Sequence, residues 1–159
     1  MAVIKEKLTS NDEGLRLIVR KAEGGEPLLD LIESIGTYEF KLNSADDCVA
    51  KDKNIMMEMK ITGKFREEIA EQASKFFVEW ALEEGSAAYK YLELLKFNEV
   101  KTKKRYVLPK AFVVDYSEKE QNDANLSFEL FLKENKDDRK AFRVYVDEER
   151  MPIEGDGNE

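Results

Sequence analysis

The strongest constraint on the fold of this chain is an alternation of period two that returns several times along it. In "NIMMEMKIT", Ile55, Met57, Met59 and Ile61 fall on one side and Glu58, Lys60 and Thr62 on the other, the pattern of a strand with one buried face and one wet face. "GLRLIVRK" repeats it, with Leu15, Leu17 and Val19 directed inward and Arg16 and Arg20 outward. The "EGGEP" that follows combines glycine's freedom with proline's fixed φ, so this segment is expected to be one arm of a hairpin. Further on, "LSFELFLKE" puts Leu126, Phe128, Leu130 and Leu132 on one face, and "AFRVYVD" does the same with Phe142, Val144 and Val146. The polar "NKDDRK" between them is expected to be a short loop.

One stretch breaks the rhythm. After Gly63, the residues Phe65, Ile69, Ala73, Phe76, Phe77 and Trp80 recur at helical spacing, which predicts one amphipathic helix from about Arg66 to Glu84, ending near Gly85. Its aromatic stripe has the spacing a helix needs to cover a sheet, so core packing is expected rather than a cofactor box. "SAAYKYLELLKF" favours helix locally but is bounded by Gly85 and the basic "KTKKR"; a strand from Tyr89 to Phe97 is expected. Several strands, one helix and several more strands, without alternating βα units, give a mainly β (α+β) chain. The expected form is an antiparallel barrel or sandwich with one flanking helix.

With 159 residues the chain has material for about one domain. We place that domain at residues 1–146. Residues 147–159, "DEERMPIEGDGNE", hold six acidic side chains against Arg150 alone and account for most of the net charge of -8; an acidic, mobile tail is expected there. No apolar run is long enough for a bilayer span or a signal-peptide core, so no membrane insertion and a cytoplasmic location are expected. The single cysteine, Cys48, fits a reducing compartment.

Absences narrow the chemistry. The chain has no histidine, which removes Ser-His-Asp and Cys-His arrangements and nearly all zinc-hydrolase ligand sets. Cys48 has no basic residue immediately beside it, and the pairs Asp46-Asp47 and Asp137-Asp138 lack the spaced oxygens and central glycine of a calcium loop. Neither GxGxxG nor GxxxxGK[ST] occurs. No catalytic, cofactor or metal residue is expected, and the chain is not expected to be an enzyme. The one basic patch, Lys101, Lys103, Lys104 and Arg105 with Lys110 beyond, sits in an acidic protein. It is expected to be a solvated hairpin turn, or else a charged contact to a neighbouring subunit, rather than a nucleic-acid site.

In "YVLPKAFVVDYSEKE", Phe112, Val114 and Tyr116 share one face while Ala111 and Val113 take the other. Such a strand can be covered on both sides, by a core behind and a subunit in front. Together with "MEMKITGKF" leading into a helix that ends "FFVEWA", and with the long stretch "YVLPKAFVVDYSEKEQNDANLSFELFLKENKDDRKAFRVYV", it resembles the tube-forming proteins of contractile injection systems: phage tail tube proteins and the Hcp proteins of type VI secretion. The resemblance covers Gly14 to Val146 and departs over Ser86–Arg105, which is longer and more basic.

The resemblance implies a β-barrel of two packed sheets with one helix, forming hexameric rings that stack into a hollow conduit. The subunit would be structural, in a phage tail, a phage-like or bacteriocin-like particle, or a secretion machine, with no cofactor. Its implied partners are other copies of itself, sheath and baseplate or spike proteins, and effector or nucleic-acid cargo that passes through the lumen without specific binding. By the same analogy the loop Leu42–Asn54, with Asn43, Ser44, Asp46, Asp47, Cys48, Lys51 and Lys53, is the candidate ring-to-ring contact. Glu58, Lys60, Lys103, Lys104 and Arg105 are candidates for the subunit interface or the lumen.

The competing expectation from the residues alone is a monomeric barrel holding one small apolar ligand, with Met56, Met57 and Met59 on its wall or, equally, filling its core.

Overall fold

The computed structural model describes residues 3–8, 13–43, 56–120, 125–135 and 142–153, with the side chains of Asn43 and Asn135 left out. In chain order the elements are β1 (Ile4–Lys5), β2 (Gly14–Arg20), β3 (Pro27–Leu31), β4 (Ile35–Asn43), β5 (Met56–Phe65), α1 (Ala70–Leu82), a 3-10 turn (Gly85–Ala88), β6 (Lys90–Phe97), β7 (Lys101–Glu120), β8 (Leu126–Asn135) and β9 (Arg143–Glu149). The hydrogen-bonded order β1-β3-β2-β6-β7-β8-β5-β4, with β9 also on β7, is an open path rather than a closed barrel. All pairings are antiparallel except β1 with β3.

β7 belongs to two layers. Its first half pairs with β6 and β9, its second half with β8, so the path folds back on itself into a first sheet (β1, β3, β2, β6, β9) and a second (β8, β5, β4). Leu17, Val19, Leu29 and Leu31 from the first meet Met57, Met59, Ile61 and the stripe Leu126, Phe128, Leu130 and Leu132 from the second in one core. Met57 and Met59 are therefore core fillers. The inward faces expected for β5 and β8 are the observed ones, apart from Ile55, which lies outside the described residues.

Proline sets the crossing point. Pro109 has no N–H to give to a ladder, so a β strand must bulge around it. The register with β6 slips there, from Leu92↔Leu108 to Lys90↔Ala111. A second slip at Val114, between Val113↔Leu132 and Asp115↔Phe131, resets which side faces inward. Val113 and Tyr116 consequently both pack on the core, whereas simple alternation groups Tyr116 with Phe112 and Val114.

α1 is shorter than its periodicity suggests. Phe65 ends β5 instead, and Ile69 is an N-cap with no side chain able to hold the first amides. Ala70, Ala73, Phe77 and Trp80 form its buried face. Phe77 joins a stack with Phe65 and Phe128, whose centroids lie 4.1 Å apart, and the indole N–H of Trp80 donates to Ala88 O at 2.9 Å. The helix thus closes one end of the two layers. At Gly63, a Cβ would lie 1.9 Å from Ser34 O, and the same carbonyl accepts the Lys64 amide at 2.9 Å; only glycine allows that approach.

β2 is buried on both faces, against the one-sided expectation for it. Arg16 is buried and bonds Asp30 through two nitrogens, at 2.9 and 2.8 Å, and donates to Pro152 O at 3.0 Å. Ile153 packs with Ile32, Phe97 and Leu8. At the other terminus, Glu6 takes the amides of Ile32, Glu33 and Ser34 on one oxygen and the Ser34 hydroxyl on the other. The segment assigned from sequence to a tail is thus built into the fold as far as Ile153: Asp147–Glu149 complete β9, and residues 150–153 lie on the first sheet.

Candidate assembly surfaces

Three surfaces carry the polar and apolar features available for contact. The first is the outward face of the first sheet. "KTKKR" is the start of β7 rather than a turn. The turn is made just before it, where Asn98 Oδ1 accepts the amides of Val100 and Lys101, both at 2.8 Å, as asparagine does in tight turns. Alternation then turns Arg105 onto β6 and β9. Its guanidinium grips Glu148 with two bonds of 2.7 and 3.0 Å, reaches Glu93 at 2.9 Å, and lies 4.4 Å from the centre of the Tyr145 ring. Arg20 takes the other Glu93 oxygen.

The pKa shifts follow the contacts. The hydrogen bond from Arg105 holds the Glu148 carboxyl below its ordinary value, with burial opposing. The Glu148 bond likewise raises Arg105, again against burial. The other basic residues of the patch diverge: Lys101 pairs with Asp147 at 2.7 Å, Lys104 lies over the Tyr106 ring at 5.0 Å, and Lys103 is exposed.

The second surface is the outward face of the second sheet. Here Glu58 and Lys60 point away from the core, as their alternation requires, and meet Lys133 at 3.4 Å and Glu129 at 3.1 Å. The five residues grouped from sequence as one interface or lumen set thus belong to two different sheets. Of the candidate ring-to-ring loop, Asn43 is the last residue of β4; Ser44, Asp46, Asp47, Cys48, Lys51 and Lys53 lie outside the described residues, as do Asp137 and Asp138.

The third surface was not legible from sequence. β9 has no strand on its outer edge among the described residues. Val144 and Val146, which alternation places on one face with Phe142, are 43% and 62% exposed. Phe142 does reach the core, against Phe40 at 6.1 Å, but the sheet runs on past the layer that would cover the valines. Leu42, beyond Phe40 on β4, is half exposed as well.

A cleft of about 350 Å³ at the foot of α1 is lined by Trp80, Glu83, Glu84, Tyr89 and Phe112. Lys90 already occupies its vicinity, 2.9 Å from Glu83 and 5.9 Å from the Trp80 ring centre. Among the described residues no three aspartate, glutamate, histidine or cysteine side chains are placed to hold a metal ion, and no helix is long and apolar enough to cross a membrane.

No family model matches the chain, and no curated protein matches it. Among solved structures, a chain of the anti-feeding prophage (AFP) baseplate, determined by cryo-EM with 6-fold symmetrisation, is similar at a TM-score of 0.47 and 10% identity, covering 90% of this chain and 98% of that one.

Proposed function

We propose that this protein is the structural inner-tube subunit of a contractile injection apparatus, assembling into hexameric rings that stack into a conduit and carrying out no catalysis. The observation that carries the proposal is the β9 edge, unpaired among the described residues, with its exposed valines. A strand edge with open backbone groups and aliphatic side chains is a hazard in a monomer and an interface in an assembly. A heterologous contact of this kind closes into a ring where the rotation permits, and a second one along the axis extends the ring into a tube. The two packed layers, the single helix and the motifs from "MEMKITGKF" to "FELFLKE" fit the same reading. In it, sheath, baseplate and spike proteins are the outer and terminal partners, and cargo meets a polar wall without specific binding.

Light scattering across a concentration series tests this. Six chains of 18.4 kDa give a particle of roughly 110 kDa, and negative-stain images should contain rings with a central hole. A strict monomer at high concentration, gaining thermal stability from a small apolar ligand, would replace the tube with the ligand-binding barrel.

A further inference from the structure

The inward stripe of β8 does not end in a hydrophobic residue. After Leu126, Phe128, Leu130 and Leu132 the next inward position is Glu134, which is 1% exposed. One oxygen has a purpose: the Pro109 bulge turns the Lys110 amide out of the β6 ladder, and Glu134 Oε1 accepts it at 2.6 Å. The other oxygen, Oε2, is buried and has no hydrogen-bond partner among the described residues. Across the β5 ladder stands Met57, which offers no polar group.

A buried carboxylate in this setting is far costlier charged than neutral, because one oxygen has lost water and gained nothing in return. Burial raises its pKa from 4.5 to about 7, against the Lys110 amide, the Lys110 ammonium and the Arg143 guanidinium. Lys110 on β7 and Arg143 on β9 are the described charged groups that act on it. Arg143 also bonds Glu23 at 3.3 Å. Lys133 and Glu58 pair with each other on the opposite, outward face.

We propose that Glu134 is a proton-operated latch: with its proton it holds the end of β8 against the Pro109 bulge, and on losing the proton it loosens the junction between β8, β7 and the start of β9. The inference concerns one chain and is independent of the tube reading. Its sign is fixed by linkage. The folded state binds the proton more tightly than the unfolded chain, so stability is full below the unfolded value and falls as pH rises towards and through the folded one.

The test compares wild type with Glu134→Gln, a neutral isostere that keeps an acceptor for the Lys110 amide. In urea unfolding from about pH 5 to about pH 8, the folding equilibrium of the wild type should fall by roughly tenfold to a hundredfold relative to that of the variant. Parallel curves over that range would overturn the latch. Should the variant fail to fold, carbon-13 NMR titration of wild-type glutamate carboxyls decides the matter: a midpoint near neutrality for Glu134 supports the proposal, and one in the ordinary carboxylate range sinks it. Amide exchange then locates the effect. After correction for intrinsic rates, Lys110 and Val144 should open faster above neutrality while Leu17 and Leu94, in the β2–β6 ladder, do not; uniform loosening would refute a local latch.

Discussion

The outward faces of the two sheets are both charged, yet they are built differently. On the first, Arg20, Glu93, Arg105 and Glu148 form one connected chain over β2, β6, β7 and β9, with Glu93 almost wholly buried, and Arg16 and Asp30 are sealed beneath residues 150–153. On the second, Lys60 meets Glu129 and Glu58 meets Lys133, the former pair with side chains 45% and 57% exposed. A charge in a connected, desolvated network cannot be removed without stranding its partners, whereas an exposed pair exchanges one solvated state for another. Composition alone does not distinguish the two faces.

That comparison breaks or sharpens under substitution. The largest effect is expected for Arg16→Ala, which leaves Asp30 charged and buried and takes a donor from Pro152; a loss of about 3 to 5 kcal/mol should appear in urea unfolding. A loss below about 1 kcal/mol would erase the distinction between the faces. Arg105→Ala should cost about 2 kcal/mol, since Arg20 still holds one oxygen of Glu93. It should also remove an acid sensitivity: a carboxyl held below its ordinary value contributes stability above the unfolded pKa and loses it as pH falls through the folded one, so Glu148 makes the wild type weaken on acidification. Thermal melts of both proteins below about pH 5 measure this, and equal slopes would contradict it. The smallest effect belongs to Lys60→Ala, under about 0.5 kcal/mol and absent in 1 M salt; a salt-resistant loss would mean that the second face is networked too.

Period-two patterning is legible where one face is dry and the other wet, so the buried sides of β5 and β8 follow directly from Met57, Met59, Ile61 and Leu126 to Leu132. It misleads where a sheet is covered twice. Arg16 looks like a solvent residue until Asp30 and Pro152 close around it, and nothing local in "GLRLIVRK" reports a carbonyl 136 positions away. Parity also fails across a bulge. Pro109 is visible in the sequence, but the slip at Val114 has no glycine or proline to announce it, so alternation groups Tyr116 with Phe112 and Val114 although it packs on the core with Val113. Glu6 escapes for a simpler reason: one glutamate after a two-residue strand has no pattern, and its role exists only once three amides converge on it. Of the candidate contact surfaces, the open edge of β9 depends on what fails to cover Val144 and Val146, which alternation does not encode.

The strapping of the first sheet by residues 150–153 has a consequence for how the chain is made. Arg16 emerges from a ribosome long before the carbonyl of Pro152 that it finally donates to, and the Glu93 and Glu148 partners of Arg105 straddle it in the order of synthesis. Until residues 150–153 have been made, Arg16 lacks the carbonyl that it finally donates to, and Ile32 and Phe97 lack Ile153. Up to that point the nascent chain presents a sheet whose outer side is only partly covered, the interval in which chaperone engagement would matter most.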